Sequence, residues 1–163
     1  MAKLRVFFVR CDITSPIDNT IAIVSKGKWV HTAIEIIGGT LEALDEPGED
    51  LNGNPIESGV RLSPLGKYDG RADVLIKLID VPDPDGSEET ARNLIGVPYG
   101  HIDCVEGGLH DQTGIELPDN GLLTANCSKT VVLVLRAGKV VIDGGTPAGD
   151  ITPMDLLKAL GGE

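Results

Sequence analysis

At 163 residues, 41% of them hydrophobic and 24% charged, the chain has the size and composition of one soluble globular domain that needs no disulfide or metal to hold its core. Its 25 acidic and 14 basic residues leave a net charge of -11, which argues against nucleic acid or anionic lipid as a partner, because both require Lys and Arg to meet phosphates. Three cysteines, Cys11, Cys104 and Cys127, form an odd set with no close pair, so reduced thiols and cytosolic synthesis are expected rather than a disulfide framework.

The opening MAKLRVFFVR has an apolar run too short for a signal peptide, and no stretch is long enough to span a bilayer, so export would need another route. KLRVFFV reads as a first strand. TIAIVSKG stays open between helix and strand. WVHTAIEII, residues 29 to 37, is rich in β-formers and is followed by Gly38-Gly39 and TLEALD, which predicts a hairpin with a two-residue glycine turn. Residues 46 to 64 read as a long surface loop interrupted by a short GVRL strand, and RADVLIKLIDV, residues 71 to 81, as a central buried strand.

Asp85 and Glu88 have capping-box spacing ahead of the helical SEETARNLI, which stops at Gly96. GVPYGHIDCVEGGLHDQTG is glycine-rich and irregular. KVVIDGG reads as a strand, and Thr152, Pro153 and Asp155 mark the start of a terminal helix. These elements predict an α+β fold with a mainly antiparallel sheet, and no P-loop or dinucleotide fingerprint is present.

TANCSKTVVLVLRAGK is the ambiguous segment. Propensity favours a strand for VVLVL. Asn126 as an N-cap and Gly138 as a stop instead frame a helix beginning at Cys127, where backbone N–H groups favour a thiolate. A thiol nucleophile needs a base, and the base needs a group to orient its ring. The hairpin offers His31 as the base and Glu42 on the neighbouring strand as the orienting carboxylate, ranked ahead of Asp45 and Glu35. His101 and Cys104 are spaced for metal ligation, but Asp103 and His110 complete no established pattern, so no metal or other cofactor is expected.

The ordered motifs HTAIEIIGGTLEALD, ESGVRLSPL, GVPYGHIDC, NCSKTVVLVL and DITPMDLLKAL resemble the circularly permuted NlpC-type branch of the papain-like cysteine hydrolases. That branch includes YiiX-like bacterial and phage proteins and, more distantly, lecithin retinol acyltransferase. The resemblance covers roughly residues 20 to 160. Two positions depart from the pattern: CDITSPIDN stands in place of the Gly-Asp lead-in, and Lys129 stands where an acid is usual.

The resemblance implies a permuted papain-like fold with Cys127 as nucleophile, His31 as base and Glu42 orienting it. Tyr99 would line the substrate groove, and the backbone N–H groups of Cys127 and Ser128 would form an oxyanion hole. The implied activity is cleavage of an amide in a peptide or peptidoglycan stem through a thioacyl-enzyme. Lipid acyl transfer, thioester cleavage and a catalytically idle binding module are the alternatives. The small size and lack of appended domains suit a phage or prophage protein within this family.

Overall fold

The computed structural model describes residues 2–10, 14, 27–99, 124–146 and 148–163. Among these residues, seven strands run in chain order: β1 Ala2–Arg10, β2 Trp29–Ile36, β3 Gly39–Leu44, β4 Gly48–Glu49, β5 Pro55–Ile56, β6 Gly59–Ser63 and β7 Val74–Val81. Three α-helices follow among the described residues: α1 Pro84–Leu94, α2 Cys127–Ala137 and α3 Pro153–Ala159. Five strands form one antiparallel sheet in the order β6-β3-β2-β1-β7, while β4 and β5 pair as a small separate ribbon. The architecture is α+β, as the pattern of elements predicts.

Strand alternation divides the sheet into two unlike faces. Ile34 and Ile36 of β2, with Val6 and Phe8 of β1 and Leu41 and Ala43 of β3, meet Val131, Val132 and Leu135 of α2 and Leu156 and Leu157 of α3 in the main core. Each such aliphatic side chain contributes about 1.5–3 kcal/mol when fully buried, so this face carries most of the hydrophobic stabilisation. The opposite face has a small cluster of Phe7, Ala33 and Tyr68. Because β6 and β7 occupy opposite edges of the sheet, the connection from Pro64 to Asp73 crosses this second face and brings Tyr68 onto Phe7 at 5.5 Å between ring centroids.

Helix boundaries follow local chemistry. In α2 the side chain of Asn126 accepts a hydrogen bond from Lys129 N at 2.8 Å, and Gly138 closes the helix. In α3 Thr152 and Asp155 form a reciprocal capping box, with Pro153 at the first turn. VVLVL is thus helical: its apolar side chains pack on the sheet, outweighing their β propensity.

Several expectations are corrected. The hairpin turn is Ile37-Gly38, with Gly38 at φ +91° and Gly39 already paired to Ile36 in β3. Residues 71 to 81 hold an edge strand, Val74–Val81, rather than a central one: among the described residues β7 pairs only with β1, leaving Ile76 and Leu78 exposed on the sparsely covered face. The cap of α1 is Asp83, which accepts from Gly86 N, while Glu88 bonds Ile37 N and Arg92 instead. The loop from residue 46 holds the β4–β5 ribbon. KVVIDGG is not a strand: Lys139 at φ +70° and Asp143 at φ +51° interrupt extension, and residues 143 to 145 form a 3-10 turn.

Most of TIAIVSKG lies outside the described residues. Among those described, no helix is long and apolar enough to cross a membrane.

A Cβ at Gly39 would lie 2.5 Å from the backbone oxygen of Ser63, so β3 accepts only glycine there without displacing β6. Gly39→Ala is expected to cost about 1–3 kcal/mol, seen as a lower urea midpoint with an unchanged m-value.

Candidate active site

Cys127 is the first residue of α2, where the N–H groups of the opening turn have no acceptor within the helix and the dipole is positive. Asn126 holds this turn. Its Oδ1 takes Lys129 N and the Ser128 hydroxyl, at 2.8 and 3.1 Å, and its backbone oxygen takes the Thr130 hydroxyl at 2.8 Å. The Ser128 hydroxyl also reaches Ile151 O at 2.6 Å, which ties the helix to the segment before α3. Lys129 is buried and sends its Nζ to Thr124 O at 2.6 Å.

The side chain of Cys127 hydrogen-bonds His31, and its Sγ lies 3.7 Å from Val30 O, so the nucleophile candidate rests against the start of β2. Cys127 is buried, whereas the His31 side chain keeps 18% of its exposure. His31 Nε2 meets Glu42 Oε1 at 2.8 Å, leaving the other ring nitrogen for the sulfur. The sheet register explains why Glu42 is the partner. Ile34 opposes Leu41, so continuing the ladder sets residue 42 against Ala33 and diagonal to His31 on the same face. Asp45 lies exposed beyond the end of β3, and Glu35 is committed to an ion pair with Arg5.

Glu42 has no solvent exposure. Besides His31 it accepts from Lys67 Nζ at 2.6 Å, from the Tyr68 hydroxyl and from the Ser63 side chain. Burial opposes its charge, but the hydrogen bond and charge of His31, then Lys67 and Ser63, hold the carboxyl well below its usual range. Burial likewise pushes against a charged His31, yet hydrogen bonds to Cys127 and Glu42 raise it to about 9. Tyr68 is pushed well above its ordinary range by burial and by the adjacent carboxylate, so it stays a donor.

Lys67, Tyr68 and Ser63 were not singled out by sequence. The only signal was a Lys-Tyr pair inside the turn-rich SPLGKYDG, which by itself marks a loop. Tyr99 is partly buried, packs on the main core and bridges Ala125, two residues before Cys127. His101, Asp103, Cys104 and His110, the residues of the weak metal spacing, lie outside the described residues, as does Cys11.

The arrangement supplies a thiol, an imidazole able to carry its proton and an ionised carboxylate behind the imidazole. Comparison of the chain with protein-family models, with curated proteins and with solved structures finds no match.

The ring of His31 titrates above the ordinary 6.5, so the stabilisation from its protonated form is complete below pH 6.5 and is lost as pH rises through about 9. NMR of the His31 ring is expected to give a midpoint near 9, lowered in both Cys127→Ala and Glu42→Gln. A wild-type midpoint at the free-imidazole value would contradict the hydrogen-bonded chain.

Proposed function

We propose that this protein is a thiol hydrolase that cleaves an amide bond through a thioacyl-enzyme, within a permuted papain-like fold. The observation that carries the reading is the continuous contact from Cys127, at the first turn of α2, through His31 to the buried Glu42. The order of the resembling motifs supports it independently.

The Cys127 thiol proton passes to the His31 nitrogen turned away from Glu42, and the sulfur adds to the substrate carbonyl carbon. The carbonyl oxygen takes up the negative charge and is met by the backbone N–H groups of Cys127 and Ser128, which open the helix. As the tetrahedral adduct collapses, the C–N bond breaks and the leaving amine takes the proton from His31, leaving a thioester on Cys127. Water then adds to that thioester while His31 accepts its proton, and C–S cleavage releases the acid and returns the proton to sulfur. Glu42 orients the ring and stabilises its positive charge through both halves. Approach is from the His31 side, which retains exposure.

The substrate class taken from the motif resemblance is a peptide or a peptidoglycan stem peptide. Lipid acyl transfer and thioester cleavage use the same three residues. Product analysis on stem peptides, acyl thioesters and acyl lipids separates these classes.

Cys127→Ala is expected to abolish hydrolysis, and His31→Ala to lower kcat/KM by about 10²–10⁴-fold. Acid-quenched mass spectrometry should trap an acyl group on the peptide containing Cys127. Activity that survives Cys127→Ala would sink the assignment. A fold that binds without turnover would instead show Cys127 alkylating like a free thiol, with an ionisation near about pH 8.5.

A further inference from the structure

Glu42 is held by more groups than orientation of one imidazole requires. Its Oε1 receives both His31 Nε2 and the Tyr68 hydroxyl, and its Oε2 receives Lys67 Nζ at 2.6 Å. Lys67 and Tyr68 do not belong to the strands that build the site. They arrive on the crossover from Pro64 to Asp73, which joins the two edges of the sheet across the face that carries His31 and Glu42.

Resting on the thiol-hydrolase reading of Cys127 and His31, we propose that this crossover belongs to the catalytic apparatus. Lys67 and Tyr68 are positioning residues that keep Glu42 ionised and aimed at His31 while the histidine gains and loses its proton.

The groups facing Glu42 show why a second cation is needed there. From β2 comes His31, with Cys127 beyond it; from β6 come Ser63 and Arg61. From the crossover come Lys67, Tyr68 and Arg71. Arg61 directs its guanidinium to the carbonyls of Leu44, Glu46, Pro47 and Gly59, and Arg71 pairs with Asp73 while lying 5.0 Å from the Tyr68 ring. His31 becomes neutral each time it protonates a leaving group, and at that moment it no longer offsets the buried carboxylate. Lys67 takes no part in these proton transfers, so it is the steady counter-ion in direct contact. Tyr68, anchored on Phe7 and Ala33, holds the same Oε1 that His31 meets. Without them, burial would drive a proton onto Glu42, and its oxygen would no longer serve as an anchor for the imidazolium.

The test is the rate of Cys127 alkylation by iodoacetamide as a function of pH, read on the Cys127 peptide by mass spectrometry so that Cys11 and Cys104 do not contribute. Wild-type protein is expected to alkylate well into the acid range. Lys67→Met should move the acid limb to higher pH by about one to three units, the effect of removing a neighbouring opposite charge. Tyr68→Phe, which keeps the ring packing, should move it in the same direction, and Lys67→Arg should restore it.

An acid limb unchanged in both Lys67→Met and Tyr68→Phe, with wild type still reactive in acid, overturns the positioning role and leaves the hydrolase reading standing. Wild-type protein that alkylates like a free thiol overturns both. If Lys67→Met does not fold, the Tyr68→Phe profile decides the question alone.

Discussion

A carboxylate with no solvent exposure lies on β3, and much of the site is organised around satisfying it. Removing such a charge from water costs several kcal/mol unless partners restore what hydration supplied. Glu42 finds those partners on three separate pieces of chain: His31 on β2, Ser63 on β6, and Lys67 and Tyr68 on the crossover. Their convergence requires the register of β2 on β3, the pairing of β3 with β6, and the return of the chain over the sheet to β7. A slip of one residue in β3 would turn Glu42 into the apolar core and break all of these contacts together.

The two faces of the sheet divide the work. One is covered by α2 and α3 and supplies the hydrophobic stabilisation that holds the helix carrying Cys127 in place. The other holds the polar network that sets the charge of His31. Cys127 and His31 meet where α2 begins and β2 begins, so the thiol is positioned by packing while its proton partner is positioned by electrostatics. The cap at Asn126 joins the two requirements, because the side chain that starts the helix also fixes the first turn from which the thiol projects.

The helix and its thiol were legible because caps are local rules. Asn126 and Gly138 bracket α2, and Thr152, Pro153 and Asp155 open α3. The His31–Glu42 pairing could be anticipated from a hairpin, where a short turn sets which residues share a face. Failures came where the same local rules are silent about neighbours. The apolar run of β7 looks like a buried centre, yet it sits at an edge, because sheet order is decided by which strands compete for the middle. KVVIDGG has strand composition, yet Lys139 and Asp143 take left-handed backbone as the chain turns away from α2.

By itself, then, the amino-acid order determined the α+β class and the hairpin bearing His31 and Glu42, and it supplied the caps that frame a helix at Cys127. The choice of helix over strand for VVLVL came with its packing on the sheet. Only the tertiary structure decided that β7 flanks β1, that Lys129 is buried against Thr124, and that Lys67 and Tyr68 close on Glu42. The last contacts join residues 25 and 26 positions apart through a crossover with no periodicity of its own. Hydrophobic pattern and capping chemistry report on short stretches of chain, whereas a buried charge is satisfied by whatever the completed fold brings to it.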